Sequence, residues 1–183
     1  MDALISAIIE QDREAFGRLL RPGMDLNYIC ARGAPIHWAS LIGNVEFVRT
    51  LLQFGADPNM RDPDFGQNAV HKAADQSVEI VTALHAAGAN VDLPDTTGMT
   101  PLMIAARGGK LDIVRFFVEH GAHVRAADDH ATNPLHWSAV GGNFPDVNAY
   151  LIQAGADPAA VTSYNMTYDQ ILALTIARGL SSV

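Results

Sequence analysis

The chain has 183 residues, of which 49% are hydrophobic and 17% charged, so it can bury a core and lacks the composition of a disordered protein. Its net charge of −8 argues against a general attraction to nucleic acid or anionic lipid, and no stretch reaches the roughly 20 apolar residues that cross a bilayer. The single cysteine, Cys30, excludes an intramolecular disulfide and favours a reducing compartment. We therefore expect a cytoplasmic protein that binds neither nucleic acid nor membrane.

Two short motifs recur along the chain with the same period. Gly-Ala pairs begin at Gly55, Gly88, Gly121 and Gly155, which lie 33, 33 and 34 residues apart. A second motif stands at a fixed offset and reads Ala34-Pro35-Ile36-His37, Asn68-Ala69-Val70-His71, Thr100-Pro101-Leu102-Met103 and Asn133-Pro134-Leu135-His136. A fixed period in this range indicates a stack of similar supersecondary units.

Each unit is predicted to contain two short helices. Prolines occupy the first turn of three of the first helices, where the missing N–H has no cost, and Gly43, Gly109 and Gly142 are placed to end them. The second helix carries apolar residues at helical spacing, as at Val45 and Val48, and a Gly-Ala pair follows as its C-cap.

In chain order, the pattern predicts an N-terminal capping repeat over 1–28 and four repeats over 29–61, 62–94, 95–127 and 128–161, followed by a C-terminal capping unit over 162–183. Four departures from the pattern predict local distortion without loss of the fold. Asp75-Gln76-Ser77 stands where a turn glycine is expected, Pro63 and Phe144-Pro145 each add one residue, and Met103 replaces the motif histidine.

These motifs resemble the ankyrin repeat, and Gly98-Met99-Thr100-Pro101-Leu102 followed by Ala105-Ala106 is the copy that matches best. The resemblance covers the whole chain. It implies a single all-α domain, an ankyrin-repeat solenoid of stacked helix-turn-helix units with hairpin loops. It also implies that the motif histidine bonds to the backbone of a neighbouring loop, and that a partner protein binds on a concave face made by the hairpin tips and first helices.

The histidines and carboxylates do not indicate an enzyme or a metal site. His37, His71 and His136 occupy the same repeat position, and helices that stack about 8 to 10 Å apart hold them too far apart to share one ion. The sequence contains no phosphate-binding glycine loop, no nucleophile elbow and no His-Glu-x-x-His motif. We therefore predict no catalytic residue, no metal and no cofactor.

The candidate partner-binding residues are hairpin and first-helix positions that the repeat pattern leaves free. They are Trp38, Leu41, Ile42, Asp64, Phe65, Lys72, Asp75, Gln76, Thr96, Met99, Arg107, Asp129, His130, Trp137 and Val140, and the first hairpin adds Ile29, Ala31 and Arg32. Trp38 and Trp137 are the only tryptophans, and each directly follows a motif histidine. Two interpretations stay open for them, an anchor for a partner protein and packing between neighbouring repeats.

The predicted function is the binding of another protein, without catalysis, by a chain that is monomeric when free. A sharper hypothesis is an inhibitor or immunity-type protein for a basic enzyme, based on the acidic net charge and on the hairpin acids Asp62, Asp64, Asp92, Asp95, Asp128 and Asp129. An acidic surface that serves only solubility explains the same charges. The alternative functions are a scaffold or assembly subunit that self-associates through Trp38, Leu41 and Ile42, and an enzyme with an atypical site.

Overall fold

The computed structural model describes residues 2–30 and 32–179. The predicted hairpin position Ala31 and the outer ends of the two predicted capping units, Met1 and residues 180–183, lie outside the described residues. The described residues form eleven α-helices and no β-strand, which confirms the all-α fold class. Backbone contacts divide the chain into two compact units, Met1–Asn90 (unit 1) and Val91–Val183 (unit 2). The division into repeats and caps stays a prediction.

Unit 1 contains six helices, α1 (Ala3–Ile9), α2 (Arg13–Leu19), α3 (Pro35–Leu41), α4 (Val45–Gln53), α5 (Ala69–Ala73) and α6 (Val78–Ala86) among its described residues. The first helices pack side by side, α1 on α3 and α3 on α5, and α4 packs on α6. Their shared core includes Ile36, Leu51 and Leu84, and the rings of Phe16 and Phe47 stack with centroids 4.1 Å apart. This burial of apolar side chains between layers stabilises helices too short to persist alone.

Unit 2 repeats the arrangement with five helices over its described residues, α7 (Pro101–Arg107), α8 (Leu111–Glu119), α9 (Pro134–Gly141), α10 (Pro145–Gln153) and α11 (Tyr168–Ala177). Helix α9 packs between α7 and α11, and α10 packs on α8. Leu102, Phe117, Leu135 and Leu151 are fully buried in the core. The first helices of both units therefore begin where the recurring motif predicts.

Two of the predicted glycine turns and two of the four predicted distortions are present, whereas Met103 keeps the regular start of its helix. Gly43 and Gly109 end their helices with φ of 78° and 67°, a conformation that a residue with a Cβ rarely adopts. Without the turn glycine, α5 has only five residues. The residue added at Phe144 is accommodated because its ring lies over Gly109, where a Cβ would come within 2.5 Å of the ring.

No helix in the described ranges has the length and apolar character needed to span a membrane.

Candidate functional site

Three of the six hairpin acids are buried and hold their own hairpins together. The Asp128 Oδ1 atom accepts hydrogen bonds from the backbone N–H groups of His130 (2.8 Å) and Thr132 (2.9 Å). Asp62 and Asp95 accept equivalent backbone bonds in their own hairpins. A buried carboxylate of this kind satisfies turn N–H groups and presents no charge to a partner. These three acids therefore lend little support to the hypothesis of a basic partner, which stays a prediction.

The other three hairpin acids differ in their availability. Asp64 is exposed and forms an ion pair with Arg32 at 2.9 Å. Asp92 is half-buried and pairs with His123, and this hydrogen bond to a carboxylate raises the pKa of the exposed histidine. Asp129 is exposed on its hairpin. Asp64 and Asp129 are thus the acids that a partner could reach directly.

The motif histidines bond neighbouring loops, as the family resemblance implies. The Nδ1 atom of His37 accepts from the N–H of Ala34 at 2.9 Å, and its Nε2 lies 2.9 Å from the carbonyl oxygen of Met60. Burial lowers the pKa of His37 although the bond to Met60 opposes the shift, and His136 behaves in the same way with the carbonyl of Ala160. Both imidazoles are therefore neutral, with the proton on Nε2, and serve to join a first helix to a loop.

The two tryptophans differ in how their indole N–H groups are bonded. Trp137 Nε1 donates to Asp128 Oδ2 at 3.0 Å. Trp38 Nε1 is buried and has no hydrogen-bond acceptor among the described residues. The residue eight positions before the motif histidine explains the difference, because it is Asp128 in one hairpin and Ile29 in the other. The hairpin before α3 thus lacks the acceptor that the hairpin before α9 provides.

Six of the predicted residues of unit 1 line one groove of about 270 Å³. This unit 1 groove is lined by Arg32, His37, Trp38, Leu41, Asp64, Phe65 and Lys72. Leu41 is 47% exposed and Phe65 is 51% exposed, although both are large apolar residues. The groove lies between the hairpin before α3 and α3 itself on one side, and the next hairpin and α5 on the other.

The charges beside the unit 1 groove are paired within the protein. In addition to the pair of Arg32 and Asp64, the Lys72 ammonium lies 2.6 Å from the Asp62 carboxylate and donates to the Gln67 side chain at 2.9 Å. Burial raises the pKa of Asp62, but Lys72 and the backbone N–H groups outweigh it, so the pKa lies below its ordinary value. The groove therefore presents apolar side chains between neutralised charges.

The remaining described candidates of unit 1 lie outside this groove, including Ile29, which is exposed on the first hairpin. Ile42 is half-buried at the end of α3. Asp75 and Gln76 are exposed in the turn after α5, where the Gln76 amide donates to the Asp75 carboxylate at 2.9 Å.

A second groove of about 440 Å³ lies at the equivalent position in unit 2. This unit 2 groove is lined by the predicted residues His130, Trp137 and Val140 and, among others, by Tyr164, Met166, Ile171, Leu174 and Arg178. The sequence pattern did not point to the latter five, because it indicates only a degenerate C-terminal capping unit over 162–183. Comparison of hairpin tips could have found one of them, since Tyr164 stands where the preceding groove has Phe65.

The other predicted residues of unit 2 are spread along its hairpins and α7. The Arg107 guanidinium lies 5.5 Å from the centre of the Trp137 ring, close enough for a cation–π interaction. Thr96 is exposed, Met99 is half-buried, and the backbone N–H of Asp129 donates to the Thr97 carbonyl at 3.0 Å.

Neither a metal centre nor a catalytic cluster is evident in the described residues. No group of three or more His, Cys, Asp or Glu residues in residues 2–30 and 32–179 is placed to hold an ion. A wider hollow of about 640 Å³ in unit 2 is lined by His123, Val124, Arg125, Ala126, Ala154 and Gly155. Its lining residues include neither a nucleophile nor a carboxylate, and the imidazole of His123 is paired with Asp92 beside it.

Comparison with known proteins identifies the repeat. A family model described as ankyrin repeats (3 copies) matches residues 4–95 and 70–162. The chain is 32% identical over 114 residues to cyclin-dependent kinase 4 inhibitor B of Bos taurus, which covers 62% of this chain and 87% of that protein. It is 32% identical over 146 residues to palmitoyltransferase AKR1 of Lachancea kluyveri and over 142 residues to ankyrin repeat protein nuc-2 of Neurospora crassa. These matches cover 76% and 75% of this chain, but only 20% and 13% of the two relatives.

Proposed function

The chain belongs to the ankyrin-repeat family, and from that premise we propose that it binds a partner protein through the unit 1 groove and thereby inhibits that partner. Ankyrin repeats mediate protein–protein interaction. In this proposal the chain catalyses no reaction and acts by occupying a surface that its partner needs. Its proposed compartment is the cytoplasm, on the argument that a single cysteine suits a reducing environment.

The observation that carries the proposal is the exposure of Leu41 and Phe65 around one groove. Large apolar side chains that project beside a tryptophan and are ringed by polar groups are typical anchors of protein interfaces. The ion pairs of Arg32 with Asp64 and of Lys72 with Asp62 neutralise the rim, so docking there does not leave an isolated charge buried.

Inhibition is supported by the relatives. Cyclin-dependent kinase 4 inhibitor B is named as an inhibitor, and this chain matches 87% of its length. The palmitoyltransferase relative offers no comparable support, because the chain spans only about a fifth of that protein.

The proposed partner is a basic enzyme, for which the support is the net charge of −8 alone, because Asp64 beside the groove is already paired with Arg32. Charges near an interface mainly accelerate association, and salt screens them over about 8 Å at physiological ionic strength. The association rate with a basic partner should therefore fall as salt is added.

The test begins with affinity capture from the native cell and identification of the bound protein. With that protein, Leu41→Ala and Phe65→Ala should each weaken binding by about 2 kcal/mol, or about thirtyfold in Kd. Phe54→Ala is the matched control, because Phe54 is also an exposed phenylalanine of unit 1 but does not line the groove. Enzyme assays with and without the chain then test inhibition.

Three results would contradict parts of this proposal. Equal affinities of the Phe65→Ala and Phe54→Ala variants would remove the groove as the binding surface. An association rate that does not fall with salt would remove the basic partner. A dimer in sedimentation experiments on the free chain, lost in the Leu41→Ala variant, would favour the self-associating scaffold instead.

A further inference from the structure

The unit 2 groove has the same construction as the unit 1 groove but a different chemical character. In each, a tryptophan after the motif histidine is followed three residues later by an exposed aliphatic residue, Leu41 or Val140. An aromatic residue of the next hairpin follows, Phe65 or Tyr164. Where the first groove has the paired Lys72, the second has the apolar Ile171.

Several large apolar side chains at this groove are exposed to solvent. Tyr164 is 70% exposed at its hairpin tip, and Leu174 is 48% exposed on α11. Val140 on α9 is exposed on the facing side. Exposed apolar patches of this kind mark binding surfaces, because covering them with a partner removes them from water.

One side of the groove is held rigidly in place. The Trp137 indole is fixed by its hydrogen bond to Asp128, whose other oxygen atom is bonded to the hairpin backbone. Arg107 lies over the face of the same ring. A surface whose side chains are already ordered loses little conformational entropy when a ligand binds.

The charge of the groove is positive. No lining residue is acidic, and Arg178 supplies the one permanent charge among the lining residues that the structure describes. Within the described chain, its guanidinium forms neither an ion pair nor a hydrogen bond. The Asp128 carboxylate is buried, accepts a hydrogen bond from Trp137 and forms no ion pair with this arginine. An arginine beside an apolar surface favours a ligand carboxylate, which it can hold with two hydrogen bonds.

From these features we infer that the unit 2 groove binds an apolar peptide segment of a partner protein that carries a carboxylate for Arg178. The apolar side chains of the segment pack between Val140, Tyr164 and Leu174, and its acidic group lies at the α11 end of the groove. This surface is separate from the proposed function above, because all of its residues belong to unit 2.

The experiment selects ligands from a phage-displayed library of random 12-residue peptides on the full chain. The enriched peptides should combine aromatic or aliphatic residues with Asp or Glu. The strongest peptide is then synthesised with its acidic residues and, separately, with the corresponding amides. The amide version should bind about tenfold more weakly, and added salt should weaken the acidic version more than the amide version.

Variants of the full chain show whether the selected peptide occupies this groove. Leu174→Ala and Arg178→Glu should each weaken binding about tenfold. Ile176→Ala is the control for the first, because Ile176 is 47% exposed on the same helix and does not line the groove. Lys110→Glu changes the net charge as Arg178→Glu does, at an exposed site outside the groove. Both controls, and Phe65→Ala in unit 1, should bind the peptide normally.

The inference is overturned if no peptide is enriched, if the enriched peptides lack acidic residues, or if the groove variants bind as well as their controls. A dimer of the free chain that Leu174→Ala disrupts would also overturn it, because a second copy would then cover the groove. Circular dichroism of every variant separates a lost contact from a lost fold. Failure here leaves the unit 1 proposal standing, since the two use different residues.

Discussion

The two tryptophans form a matched pair that tests the hydrogen bonding at the hairpins. Each follows a motif histidine and each is half-buried, but only Trp137 has an acceptor for its indole N–H, the carboxylate of Asp128. Replacement by phenylalanine removes the N–H and part of the ring at both positions. We expect Trp137→Phe to lower the free energy of unfolding more than Trp38→Phe does.

The expected difference follows from the interactions that each tryptophan loses on replacement by phenylalanine. Trp137→Phe breaks a bond to a charged group, which contributes about 1.5 to 3 kcal/mol, and weakens the stacking of Arg107, which contributes about 0.5 to 1 kcal/mol. Trp38→Phe removes a buried donor that has no described acceptor, so the recovered desolvation cost of about 1 to 3 kcal/mol offsets the lost apolar contact. The loss of ring volume is the same and cancels in the comparison. Trp137→Phe should therefore be less stable by about 2 kcal/mol or more.

Urea unfolding followed by far-ultraviolet circular dichroism measures this difference. The comparison is valid if the free energy of unfolding of each variant falls with urea concentration at the same slope as that of the unsubstituted chain. A changed slope signals a change in the surface exposed on unfolding. Equal losses of stability, or a larger loss for Trp38→Phe, would refute the assignment of different bonding to the two indoles.

Two further predictions concern pH and packing. Burial lowers the pKa of His37 and His136 below the ordinary value of 6.5. The unfolded chain therefore binds protons at these histidines more readily than the folded chain does. The contribution of the two neutral imidazoles to the free energy of unfolding should be fully present above pH 6.5 and should be lost as the pH falls below it. Urea unfolding at pH 5 and pH 8 checks this, and replacing both histidines with methionine should reduce the pH dependence. Gly141→Ala should destabilise by about 1 to 3 kcal/mol because a Cβ there would collide with the Arg107 carbonyl, whereas Gly17→Ala, with nothing within 4 Å, should stabilise α2 by up to about 1 kcal/mol. Thermal melts of the two variants that shift in the same direction would contradict the close approach of α7 and α9.

The sequence by itself determined the helical repeat, and its resemblance to the ankyrin repeat implied the role of the motif histidine. Helix starts and stops depend on local chemistry, namely a proline or capping residue at the beginning and a glycine at the end, and these recur at a fixed period. For the same reason the sequence predicted a local distortion where the turn glycine is missing, and α5 has only five residues there. Even Met103 fits the motif, because its sulfur lies 3.4 Å from the Thr100 nitrogen, in the place of the imidazole acceptor.

Only the tertiary structure decided which polar groups remain available to a partner. Asp62 and Asp64 look alike in the sequence, yet one is buried under Lys72 and the other is exposed. Likewise, the joining of Leu174 to Trp137 in one groove depends on how α11 packs on α9, outside the motif that repeats. Burial and hydrogen bonding depend on neighbours that are distant along the chain. Two residues of the same type can therefore differ in how much it costs to remove them from water, and that difference arises only when the helices pack.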